Sequence, residues 1–299
     1  MEPTEKTQQP DILAVDVMNY PFTRPAQEKF WGSAEMAYMR QTVLGGKPLT
    51  EIFPDISDSA DEFVGRMDKA GYEYVMVAAL KMGSYRGKSP SLAFSADEVY
   101  QIIRGHQNRL VGLAGYDPLN IRESTQEIER AVKEYGFKGV YAHTLGWGIA
   151  ANDRRMYPCY LKCVELDIPF AMQIGHSLEK MPSEGGRPIY IDQVALDFPS
   201  LRFIASHTGW PWCEELIAMA WKHENVYIDI SAHMPQYLDR SLVDFIDTRG
   251  RDKVLFGTNG FGMGRFKDGF LKLPLKEKAR AKVLRENALN VFRLNKTIP

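Results

Sequence analysis

Phe203-Ile204-Ala205-Ser206-His207-Thr208-Gly209-Trp210-Pro211 joins an apolar run, short enough for a buried strand, to a histidine at its end. Gly209 then permits a tight turn, and Pro211 fits the first position of a new helix. A histidine placed where a parallel strand opens toward solvent stands where α/β folds keep their chemistry. The same pattern recurs along the chain. Short apolar runs at 12–18, 74–80, 110–115, 138–143, 169–175, 201–206, 226–231 and 253–257 read as strands. Helical patterns separate them, and a helix over 275–292 closes the chain. Eight strand-then-helix units predict an α/β fold, a (β/α)8 TIM barrel, with a doubly wound sheet as the alternative. An aromatic and methionine-rich insertion with a helix near 34–44 follows strand one, and 81–94 reads as a polar loop. Residues 1–10 read as a loose tail and 11–299 as a single domain.

Composition narrows the function. The chain has 299 residues, 44% hydrophobic and 25% charged, with a formal net charge of −1. That balance gives no electrostatic reason to expect nucleic acid or an anionic membrane as partner. No apolar run approaches the ~20 residues that span a bilayer, and the polar start shows no signal-peptide pattern, so a cytoplasmic protein is expected. Cys159, Cys163 and Cys213 read as buried, reduced thiols.

Of six histidines, His143, His176, His207 and His233 fall at or just after the ends of strands four to seven. Four on one rim predict a shared pocket. Imidazole suits it because it can exchange protons near neutrality, bind a metal or stabilise an oxyanion. His106 and His223 fall on the opposite rim.

The order of motifs resembles the amidohydrolase-related group of the amidohydrolase superfamily, the aminocarboxymuconate-semialdehyde decarboxylase-like branch. The resemblance rests on Val15-Asp16, on the run from Ala171 to His176, and on Ser206 to Gly209. It also rests on the run from Asn225 to Ser231, on Leu255 to Asn259, and on Asn287-Ala288. It implies a barrel enzyme in which strand one supplies two metal-binding histidines, strand five a third, and strand eight an aspartate. Here Met18 and Tyr20 stand at the strand-one positions and Asn259 at the strand-eight position; only His176 matches. A thioether, a phenol and an amide are poor ligands for Zn²⁺ or Mn²⁺. The departures predict no cofactor, with a metal relocated onto His143, His176, His207 and His233 as the alternative.

His207 corresponds to the family's strand-six catalytic or second-metal histidine. The catalytic expectation is therefore His207, His176 and Tyr20, with His207 as acid/base and Tyr20 donating to a substrate oxygen. The substrate-binding expectation is His143, Asn259, Trp210, Arg86, Arg265, His233 and Met18. Either arginine can grip a carboxylate, and Phe22, Trp31, Trp147, Phe261 and Phe266 are candidate apolar lining. The expected activity is hydrolysis of a small cyclic or aromatic carboxylate or carbonyl compound. A non-oxidative decarboxylase, or another lyase or isomerase moving a proton at carbon, is the alternative. A catalytically inactive binding barrel is the reading from another class. The resemblance suggests a homodimer.

Overall fold

The computed structural model describes residues 12–294, so the expected tail at 1–10 lies outside the described residues. Eight parallel strands form one sheet in the order β1 (Ala14–Asn19), β2 (Tyr72–Ala78), β5 (Leu110–Gly115), β6 (Val140–Ala142), β7 (Phe170–Gln173), β8 (Phe203–Ser206), β9 (Val226–Asp229) and β10 (Val254–Leu255). β3 (Leu80–Ser84) and β4 (Ser89–Phe94) form a separate antiparallel pair. The ends of the sheet meet through Val17 N–H to Phe256 O (3.0 Å) and Asn259 N–H to Met18 O (2.8 Å). This is the (β/α)8 barrel expected. Its strands read as continuous apolar runs because barrel core and helical ring bury both faces; β1, β5, β7 and β8 are buried at every position.

Parallel register aligns the strand ends that carry the chemistry. Gln173 pairs with Ser206, Ser206 with Asp229, and Leu255 again with Asp229. The residue after each strand therefore emerges on the same rim.

Three local expectations are corrected. The stretch 81–94 is largely the β3–β4 hairpin. Its inward residues Leu80, Met82, Leu92 and Phe94 are buried, while the turn is polar and exposed. The hairpin packs so tightly on the turn Leu145–Trp147 that a Cβ at Gly146 would lie 1.8 Å from Gly83 O. The insertion after β1 holds three helices, α1 (Arg24–Gly32), α2 (Ala37–Leu44) and α3 (Leu49–Ile52). Pro211 lies in the turn, and the helix begins at Cys213, because the chain spends 207–209 in left-handed backbone first. All three cysteines are buried and free. No helix among the described residues is long and apolar enough to cross a membrane.

Candidate active site

The site begins with a strained turn. His207, Thr208 and Gly209 have φ of +74°, +63° and +71° in succession. Only glycine adopts this conformation freely, and each other residue costs on the order of 1–3 kcal/mol. The N–H groups of His207 and Thr208 both donate to Asp229 O (3.0 and 3.1 Å), which holds the turn over the neighbouring strand end. The strain fixes where the imidazole stands.

That imidazole is buried, and its second contact is with β9. His207 Nδ1 lies 2.8 Å from Ser231 Oγ, and Ser231 Oγ donates to Asp229 Oδ2 at 2.7 Å. Ser231 N–H also donates to Asp229 Oδ1 (2.8 Å). With Asp229 ionised, the serine proton goes to the carboxylate, so the serine oxygen accepts from Nδ1–H. Nε2 is then the unprotonated nitrogen of His207. Burial, followed by His233 and His143 nearby, pushes the His207 pKa down to about 3, so the ring is neutral at pH 7. Burial pushes Asp229 up to about 6, against the lowering effect of its bonds from Ser231.

His207 lines a cavity of about 140 Å³ at the barrel mouth. Phe30 and Trp31 of α1, with Phe53 and Phe261, form its apolar wall. The insertion after β1 is thus the cavity's roof. His176, His233, Tyr20 and Asn259 also line it. Burial lowers the His233 pKa, and His176 nearby adds to the effect. His176 is exposed, its Nδ1 3.4 Å from Ser183 Oγ. Tyr20 OH lies 3.2 Å from Tyr141 OH, and either hydroxyl can donate to the other; Tyr141 OH is in turn 3.4 Å from Gln173 Oε1. Burial raises the Tyr20 pKa further, so its proton stays on.

Below the cavity, Asp16 is wholly buried. It accepts from Met18 N–H (3.1 Å), Asn19 Nδ2 (3.3 Å), Thr258 N–H (2.9 Å) and the Thr258 hydroxyl. Burial raises it to about 7. It ties β1 to the end of β10 and braces Asn19 and Asn259, which line the cavity.

Five binding expectations are corrected. Arg86 is exposed in the β3–β4 turn and does not line the cavity. Arg265 donates to the Phe261 and Ile52 carbonyls, where it staples two loops together outside the cavity. Trp210 is half exposed and meets His176 edge-on from outside, at 5.4 Å between rings. Met18 is buried beneath the floor. His143 sits behind the wall, its Nε2 3.8 Å from Glu179 Oε1 and its buried Nδ1 without a partner. Of the other aromatics proposed as lining, Phe22, Trp147 and Phe266 are not on the cavity wall. Glu179, Gln173 and Gln27 line the cavity and were not anticipated. The available signal was position: Gln173 ends a strand, and Glu179 follows His176 by three residues.

The sequence model of the family described as amidohydrolase matches residues 66–294. A 2-keto-4-carboxy-3-hexenedioate hydratase from Sphingobium sp. (strain NBRC 103272 / SYK-6) is 33% identical over 106 residues. That match takes in 30% of this chain and 31% of the relative, so the chain spans about a third of that relative's length. Among solved structures, an uncharacterised TIM-barrel protein from Bordetella bronchiseptica superposes with a TM-score of 0.73 and 23% identity, covering 94% of this chain and 98% of that one. A 5-carboxyvanillate decarboxylase from Novosphingobium aromaticivorans, complexed with manganese and 4-hydroxy-3-methoxy-5-nitrobenzoic acid, superposes with a TM-score of 0.67 and 16% identity, covering 94% and 96%.

The expectation of no cofactor is overturned by that neighbour, whose structure holds bound manganese. The residues at the corresponding positions here do not fit such an ion. Met18 lies beneath the floor, Tyr20 keeps its proton, and Asn259 brings no charge. The relocated set of His143, His176, His207 and His233 does not assemble. Among the described residues no group of three or more His, Cys, Asp or Glu side chains is placed to hold a metal ion. No catalytic step is derived through one.

Proposed function

We propose that this chain, which belongs to the amidohydrolase family and is an enzyme of it, moves a proton at a carbon of a small aromatic or cyclic carbonyl substrate, with His207 as the base. The observation that carries this reading is the chain His207–Ser231–Asp229 at the end of two adjacent strands. Asp229 fixes the Ser231 proton, Ser231 fixes the tautomer of His207, and Nε2 is left as a base in an aromatic cavity. As Nε2 takes a proton from the carbon beside a carbonyl, the electron pair passes into that carbonyl as an enolate, or as a phenolate when the substrate is the keto tautomer of a phenol. Burial disfavours the imidazolium so formed, and the enolate charge created beside it, with the Asp229 carboxylate behind Ser231, offsets that cost. Return of the proton to another carbon gives isomerisation; expulsion of a leaving group gives a lyase reaction. The decarboxylase and hydratase among the similar proteins support a reaction of that class.

Hydrolysis, expected first from the sequence, is supported less well. It needs donors where negative charge develops on a carbonyl oxygen. The donors of Gln27, Asn19 and Gln173 go instead to Pro21 O, Asp16 and His176 O.

The test is isotope exchange. Dihydroxybenzenes and cyclic enones incubated in D2O are expected to take up deuterium at carbon faster with the protein than in buffer, followed by proton NMR. No enzyme-dependent exchange across the panel would sink the reading. The pH profile is expected to rise through about pH 6, as Asp229 ionises and claims the Ser231 proton. Ser231→Ala removes the hydrogen bonds of that hydroxyl, one of the influences that hold Asp229 down, so its acid limb should move to higher pH. The rate should also fall about tenfold, in line with a lost positioning bond. An acid limb that stays in place would remove Asp229 and Ser231 from the mechanism.

A further inference from the structure

The cavity has one carboxylate and no cation. Among the described residues that line it, Glu179 is the single acidic side chain, and none is lysine or arginine. Glu179 is mostly buried and belongs to the loop after β7. The Ser177 hydroxyl donates to its Oε2, and its own N–H donates back to Ser177 Oγ (3.2 Å). Its Oε1 is 3.8 Å from His143 Nε2, beyond hydrogen-bond reach. Burial lowers the His143 pKa, so that imidazole is not a standing counter-charge for it.

Acceptors recur around the same space. Asn259 Oδ1 is not one of them, because it is buried out of a ligand's reach. Asn259 itself is held with φ of +54° by its N–H bond to Met18 O, which fixes the amide at the cavity wall. The Tyr20 hydroxyl, paired with Tyr141, can accept as well as donate. His207 Nε2 accepts, because its proton is on Nδ1. A carboxylate ligand brings only acceptors and a negative charge, and would face Glu179 without compensation. The corrected positions of Arg86 and Arg265 leave no guanidinium in the cavity to supply it.

We infer that Glu179 selects an uncharged, hydroxylated ring, a phenol or enol, and rejects the aromatic carboxylate of the same size. This rests on the proton-transfer reading above and names its substrate class. A hydroxyl at Glu179 makes a charge-assisted bond. The ring lies between Phe30, Trp31, Phe53 and Phe261, which receive an apolar face and are indifferent to ring charge. Glu179 is here a binding residue, separate from the His207 chain.

The test compares two probes on one ring: resorcinol, which brings two donors, and benzoate, which brings an anion. Binding is measured by calorimetry at pH 7.5 in the presence of a chelator, so that only the chain's own groups are read. Wild type should bind resorcinol at least tenfold more tightly than benzoate. Glu179→Gln keeps the size and one acceptor but removes the charge; it should weaken resorcinol several-fold and strengthen benzoate, so that the ratio falls toward one. Asn259→Asp places a second carboxylate in the cavity and should weaken benzoate further than wild type while retaining resorcinol. Thermal melts identify any variant that fails to fold, and the wild-type ratio stands without them. Equal or tighter binding of benzoate by wild type, or no resorcinol binding up to about 10 mM, overturns the inference. So does a ratio that a folded Glu179→Gln leaves unchanged. Failure of the proton-transfer reading shows separately: resorcinol then binds with the predicted preference but exchanges no deuterium.

Discussion

Replacing His207 with asparagine is expected to lower kcat/KM for enzyme-dependent proton exchange about a thousandfold and to leave the fold intact. Asparagine is the informative choice for two reasons. It tolerates left-handed backbone better than other non-glycine residues, and position 207 has φ of +74°. Its short amide can also replace Nδ1 as the donor to Ser231, so the bond to β9 is kept. What it lacks is Nε2. General acid–base catalysis contributes typically 10²–10⁴-fold, which sets the size of the loss. The loss should fall on kcat with KM little changed, because the aromatic wall and Glu179 are untouched. The melting temperature should move by no more than a few degrees. Steady-state exchange rates and a thermal melt on the same sample check both halves. Full activity in a correctly folded variant would assign the chemistry elsewhere, whereas a loss of both activity and fold would show only that the turn depends on the imidazole.

Much of this turn was legible in the sequence, and the reason is local. Four apolar residues followed by Ser206-His207-Thr208-Gly209 specify a buried strand and an abrupt exit, and parallel register does the rest. The same logic placed Tyr20, His176, His233 and Asn259 on one rim. It failed where orientation, not position, decides. Arg265 follows the eighth strand as expected, but its guanidinium donates to the carbonyls of Ile52 and Phe261. Arg86 belongs to a hairpin whose alternation, Leu80-x-Met82 and Leu92-x-Phe94, was outweighed by the glycines, serines and lysine between them. Glu179 was missed because one glutamate in a loop carries no periodic signal; its bonds with the Ser177 hydroxyl, which hold it in place, are visible only in the folded loop. The role of Tyr20 was not legible in the sequence alone, because its one proton is shared with Tyr141, a residue 121 positions away.

Asp16→Ala is expected to destabilise the protein by roughly 3–5 kcal/mol at pH 5, because it strands two buried backbone N–H groups, the Thr258 hydroxyl and one Asn19 donor. Against total stabilities of about 5–15 kcal/mol this is a large fraction, and the melting temperature should fall by on the order of 10 °C. The pH dependence separates this from ordinary cavity formation. Burial holds the Asp16 pKa at about 7, above its ordinary value of 3.8. Between those values the folded state binds more protons than the unfolded state, so the wild type loses stability as pH rises through the interval. The stabilising, protonated form is fully present below about pH 4, and its contribution is gone above about pH 7. The alanine variant lacks this dependence. The stability difference between wild type and variant should therefore be largest near pH 4–5 and narrow toward pH 8, read from denaturant unfolding at each pH. A gap that widened with pH would mean that the four donors stabilise the ionised carboxylate more than burial penalises it. The variant should also lose exchange activity beyond its loss of folded protein, because Asn19 and the Thr258–Asn259 turn are held to the cavity by this one side chain. That coupling explains why a carboxyl group stays buried beneath the site, braced by four donors and without a cation.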